Sequence, residues 1–255
     1  MNNMTLENIN KRWISYKTQY NLDSPVLIEE VRFDGDKGID ASFDITQMYT
    51  HHYVLHLNPK IHLYRSDYVD MVLWHEFTHL YDFLEQPFAY KVMRKIYLYM
   101  NTYSEYHAAK RTLWKVLFAG KDRDICQDKN PQNRNSQNQN MQSTFHPDKC
   151  MIPTAFKEIS LRELVSDTLR HAERSHAWFM ENPDHQSFHL YLRYVMYLMG
   201  YASLFANKED ILKYCLADLQ ESENLYLDLF KILEQKDFFK IVSHMDEIYD
   251  EVGIK

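Results

Sequence analysis

The chain has 255 residues, 45% of them hydrophobic, which is enough apolar material to bury a core and too much for disorder throughout. Only 5 glycines and 7 prolines weigh against turn-rich all-β folds and glycine-looped nucleotide-binding folds, so helices should dominate. The formal charge of -7 comes from 36 acidic and 29 basic residues mixed along the chain, so no nucleic-acid partner is expected.

In chain order, Leu6 to Tyr20 carries Ile9, Trp13, Ile14 and Tyr20 at a helical period, and Asn21 to Ser24 stops it. Three short strands are expected next: Val26 to Ile28, Ala41 to Phe43 and Tyr53 to Leu57, with turns at Asp34-Gly35-Asp36 and Asn58-Pro59. This is the only convincing β-region. Ser66 and Asp67 start a helix whose apolar positions run from Tyr68 to Leu84 and which contains His75-Glu76-Phe77-Thr78-His79. A second long helix begins near Phe88 and carries Glu105 and His107 toward Leu117.

From Lys121 to Lys149 the composition turns to Asn, Gln, Asp and Lys, so residues 121–152 read as a polar loop or linker. Beyond Pro153 helices are expected over about Ala155 to Met180, His185 to Phe205, Lys208 to Gln235 with a break, and Asp237 to Tyr249. Leu190 to Ala206 is nearly uncharged, but Arg193 and several tyrosines interrupt it, and a core helix is expected there instead of a membrane span. The start of the chain lacks the charged lead and apolar run of a secretory signal, and 3 cysteines cannot all pair, which points to a reducing, cytoplasmic setting.

The chemistry lies in HEFTH. On a helix of 3.6 residues per turn, His75 and His79 project from one face one turn apart, so both imidazoles can grip one metal ion. Glu76 stands beside the pair, where a carboxylate can act as general base on water polarised by the ion. One zinc ion suits this set, since it takes imidazole and carboxylate ligands tetrahedrally and leaves a position open. Peptide hydrolysis is the natural reaction. Met71 to Trp74, Phe77 and Leu80 are the expected apolar backing of the helix, and the strand Tyr53 to Leu57 is the expected docking edge for an extended substrate. Glu105 is the choice for third ligand; His107 and Asp82 are its rivals, Asp82 being better placed to orient a histidine. Ala108-Ala109 would let the second helix approach the first closely.

HEFTH, the LHLNP strand before it and SEYHAAKRTL after it together resemble the ImmA/IrrE-like branch of the gluzincin metallopeptidases, over roughly the first 120 residues. Composition and pattern make the chain α+β and predominantly helical, and the resemblance implies a zincin-like fold for its first part. Its zincin-like catalytic part, residues 1–120, would hold a small antiparallel or mixed sheet, and the helical part, residues 153–255, would pack on it or gate it. By the resemblance His75 and His79 bind the metal, Glu76 is the base and Glu105 is the ligand on the second helix. A cytoplasmic regulatory protease acting on a specific protein, such as a repressor, is the implied role. The chain departs from the pattern at Tyr106 and His107, and shows no helix-turn-helix segment.

Cys126, His146 and Cys150 lack paired metal-ligand spacing and read as thiols and a histidine beside the polar loop. His171, His176, His185 and His189 read as surface or packed residues. An oxyanion donor is expected, with Tyr103, Tyr106 or a histidine of the second half as candidates. Two readings follow: an endopeptidase acting on a protein or peptide, or a zincin-scaffold binding protein with little or no hydrolysis.

Overall fold

Thr5 opens the first helix by accepting a hydrogen bond from the Asn8 amide, and α1 runs over Leu6–Gln19. The computed structural model describes residues 4–35, 39–85, 94–118, 147–205, 207–216 and 223–254. After α1 come β1 (Glu30–Arg32), β2 (Ala41–Phe43), the short α2 (Ile45–Met48), β3 (Val54–Leu57) and α3 (Ser66–Glu85). The chain continues with α4 (Arg94–Phe118), β4 (Met151–Pro153), β5 (Glu158–Ser160), α5 (Leu161–Glu181) and α6 (His185–Ala202). It ends with α7 (Lys208–Leu216), α8 (Glu223–Gln235) and α9 (Phe238–Glu251). Helices predominate, as composition requires.

The strand expected at Val26 to Ile28 lies further on, at Glu30–Arg32. Side chains of α1 take the place of a strand partner: Asn10 bonds both the amide and the carbonyl of Ile28, and Trp13 and Lys17 donate to the Val26 carbonyl. The backbone there is satisfied without a ladder, so its apolar residues pack as an extended loop. The sheet order is β1-β3-β2, with β1 parallel and β2 antiparallel to β3. β3 is therefore the central strand and has no edge to offer, which overturns its expected role as docking strand. The edges belong to β1 and β2, and of these β2 borders the HEFTH cleft through Ala41.

A second, two-stranded sheet, β4 with β5, lies where none was expected. It also moves the start of the next helix from Ala155 to Leu161, because Ser160 and Glu163 form a reciprocal capping box there. The linker expected over 121–152 falls outside the described residues up to 146. Its last residues are structured, with Cys150 and Ile152 buried beside Leu113 and Leu161. Cys150 is disulfide-bonded. It is thus no thiol, and the cysteine argument for a reducing setting loses its footing. Cys126 and His146 lie outside the described residues.

α4 packs against both α3 and α6 and so lies between two cores. Ile9, Trp13 and Tyr16 of α1 pack with Leu73, Trp74, Phe77 and Leu80 of α3 and with the sheet. Tyr99, Tyr103 and Tyr106 of α4 pack with α6, α8 and α9. The crossing of α4 and α6 is close: a Cβ on Gly200 would meet the Tyr106 carbonyl at 2.7 Å and Ala109 Cβ at 2.8 Å. Ala109 thus serves the contact with α6. Among the described residues no helix is long and apolar enough to cross a membrane, and the apolar run of α6 is buried core.

Candidate metal centre

The helical spacing of HEFTH places His75 and His79 with their Nε2 atoms 3.1 Å apart. Glu105 of α4 brings Oε2 to 3.5 Å from the first nitrogen and 3.6 Å from the second. Four ligands held tetrahedrally at zinc distances of about 2.0–2.1 Å stand about 3.3 Å from one another. The three observed separations match one face of such a tetrahedron. Among the described residues this is the one His, Cys, Asp and Glu group with metal-site spacing.

A second observation fits the same ion. Glu105 Oε2 is buried without any hydrogen-bond partner, although an orphaned carboxylate oxygen in an interior is costly. A cation between this oxygen and the two imidazoles would supply the missing partner. The other oxygen, Oε1, lies 3.1 Å from Arg193 Nε of α6.

The outer shell fixes the tautomer of His79. Ser104 Oγ lies 2.8 Å from His79 Nδ1 and 2.9 Å from Asp82 Oδ2. A carboxylate only accepts, so the serine proton goes to Asp82 and His79 Nδ1 donates to the serine, which leaves the Nε2 lone pair facing the site. The rival ligands are accounted for here. His107 Nδ1 donates to Asp82 Oδ1 at 2.6 Å, so His107 and Asp82 both belong to this outer network.

Glu76 is buried beside the triad, and burial pushes its carboxyl up to about 8, against the pull of His75 and Arg193. Burial works the same way on Glu105, but the neighbouring His79, His75 and Arg193 hold that carboxyl well below its ordinary value. Burial depresses both imidazoles. It wins at His79, which falls to about 4, whereas the adjacent Glu105 and Glu76 carboxyls lift His75 above its usual value.

The helix carrying HEFTH is held from behind by Leu73, Trp74, Phe77 and Leu80, all buried. Val72 packs against the same core and also lines the cleft, whereas Met71 lines the cleft and packs beside Leu113 and Ile152. Two cavities meet at His75, Glu76, Arg193 and Tyr197, one of about 340 Å³ and one of about 230 Å³. Ile39 and Ala41, at the start of β2, line both.

Arg193 and Tyr197 were not singled out by the sequence as site residues. They lie one helical turn apart on α6, in the apolar run, and the Tyr197 ring stands edge-on to His75 at 5.8 Å. The signal available was a lone arginine in a buried helix, which needs a charged partner. Tyr103 and Tyr106, the expected oxyanion donors, face away from the cleft, packed on Phe238 and Phe230. His171, His176 and His185 pack on Tyr194, Tyr191 and Tyr249; His189 bonds Asn101 at 3.2 Å. Comparison with protein-family models, curated proteins and solved structures gives no match.

Proposed function

We propose that the chain is a zinc-dependent endopeptidase acting on a protein segment bound in extended form along β2. The observation that carries this reading is the tetrahedral-face spacing of His75, His79 and Glu105 around an otherwise orphaned Glu105 oxygen. When bound there, zinc supplies a Lewis acid that polarises the scissile carbonyl and acidifies water toward a pKa of about 7. The resemblance carried by HEFTH and SEYHAAKRTL supports the same reading.

The chain's own groups divide the remaining work. Glu76 takes the proton from the attacking water and passes it to the leaving amine. Arg193 and Tyr197 stand across the cleft from it and serve as donors to the oxygen that gains charge in the transition state. β2 supplies the peptide edge. Asn58 donates to the Asp40 carbonyl and Asp44 to the Val54 carbonyl, so Asp40, Ser42 and Asp44 point their backbone groups at β3 and those of Ala41 and Phe43 point outward. A substrate strand can pair with them.

The test is zinc content and peptide hydrolysis of the wild type beside Glu76→Gln. Stoichiometric zinc in both, with hydrolysis lost in the variant alone, supports the reading. Failure to bind zinc overturns it, and zinc binding without hydrolysis by the wild type marks the chain as a binding protein on this scaffold.

A further inference from the structure

The two cavities that meet at the triad differ in size and chemistry. The larger is walled mainly by apolar side chains, among them Met71, Val72, Leu113, Ile152 and Leu164. Its lining also includes Thr112, whose Oγ1 is buried with no hydrogen-bond partner. The smaller holds Ser42, Asn101 and Ser104 beside Phe43 and Met48. A buried hydroxyl without a partner is costly, and in an apolar cavity open to a cleft it marks a place for a ligand's polar tip.

The strand direction tells which side of the scissile bond each cavity serves. An added strand favours antiparallel pairing, the more stable and more frequent arrangement. A substrate antiparallel to β2 runs from Phe43 toward Ala41, so its C-terminal part lies by Ile39 and Asp40. Asp40 lines the larger cavity alone, and Phe43 and Met48 line the smaller alone.

Resting on the proposed peptidase reading, we infer that the larger cavity selects a large apolar or aromatic residue immediately C-terminal to the scissile bond, with Thr112 favouring tyrosine over phenylalanine. A volume of about 340 Å³ accommodates either ring. The β4 and α5 segments contribute Ile152 and Leu164 to its wall, so residues beyond 150 determine specificity as well as stability.

Two arms test this. In the first, the zinc-loaded wild type digests a mixed peptide library and cleavage sites are read by mass spectrometry. Leucine, phenylalanine or tyrosine should exceed alanine by at least about tenfold on the C-terminal side of the cut, the scale of burying such a side chain. In the second, Glu76→Gln is titrated calorimetrically with peptides differing only by tyrosine, phenylalanine or alanine at that position. Tyrosine should bind about 2- to 10-fold tighter than phenylalanine, and Thr112→Val on the same background should erase that difference, as expected for one hydrogen bond. Leu164→Trp, which fills the cavity, should shift selection toward small residues.

Cleavage with the large residue on the N-terminal side, or with no preference, overturns the inference while the peptidase reading stands. Selective binding that Thr112→Val abolishes, without any hydrolysis, supports the cavity assignment and overturns the peptidase reading. Neither binding nor cleavage overturns both.

Discussion

Ser104 Oγ lies 2.8 Å from Nδ1 of His79 and passes the anchoring of that ring on to Asp82. The hydroxyl fixes which nitrogen of His79 faces the metal position. Ser104→Ala should therefore weaken zinc binding by about 10- to 100-fold, the usual effect of removing an outer partner of a ligating histidine. Competition with a chelating indicator measures it. Ser104→Thr, which restores the hydroxyl, should recover most of the affinity; equal weakening by both variants would assign the effect to packing.

The pairing of His107 with Asp82 gives a second prediction. His107→Gln should keep one zinc per chain, because His107 supports Asp82 and does not reach the triad. Glu105→Gln should lose tight binding, since it replaces the charged oxygen 3.5 Å and 3.6 Å from the two imidazoles. Zinc retained by the second variant and lost by the first would make His107 the ligand.

HEFTH was readable because its logic is local: four residues on a helix fix which side chains share a face. Glu105 followed from ligand chemistry, and Asp82 from its position one turn past His79. What escaped depends on packing between distant segments. The sequence shows three short strands but not which is central, so β3 stood in for β2. It shows an apolar helix but not which turn faces the cleft, so Arg193 and Tyr197 read as interruptions of a core. Two misses are of another kind. Ser160-Leu161-Arg162-Glu163 spells a capping box that could have set the start of α5, and the Val26 to Ile28 strand was lost to side chains of α1 that no propensity describes.

Metal removal should destabilise the protein. The triad draws together one buried carboxylate and two partly buried imidazoles, and an ion that binds only the folded chain adds about 4 kcal/mol at a thousandfold excess over its Kd. For a chain of this length that corresponds to roughly 8–16 °C in Tm. Differential scanning calorimetry of zinc-loaded and chelated protein measures the shift. An unchanged Tm at saturating zinc would mean that the folded chain does not bind the ion at these residues.

Arg193 and Tyr197 separate binding from turnover. If they donate to the developing oxyanion, Tyr197→Phe should lower kcat by about 100- to 1000-fold at unchanged zinc content, with KM little altered. Arg193→Gln should also lower kcat, and because Arg193 lies 3.1 Å from Glu105 it should weaken zinc binding as well. Tyr103→Phe, on the far side of α4, should leave kcat unchanged. A rise in KM with constant kcat in the Tyr197 variant would show that the ring only binds substrate.

Gly200 sets how near α6 comes to α4, and through that spacing how Arg193 reaches Glu105. In an ordinary helix, Gly→Ala stabilises by about 1 kcal/mol. Here the added Cβ would lie 2.7 Å from the Tyr106 carbonyl and 3.0 Å from the Lys110 amide nitrogen. Both contacts are backbone, with no flexible side chain to yield. Gly200→Ala should instead destabilise by about 1–3 kcal/mol, the range for overpacking, or about 2–4 °C of Tm for each kcal/mol. Because the helices must separate to admit the methyl, zinc affinity should fall alongside stability. Ala109→Gly relieves only the 2.8 Å contact with the Ala109 Cβ, so in the double variant it should restore a minor part of the loss. A stabilised Gly200→Ala protein would show that the two helices are not locked at this crossing.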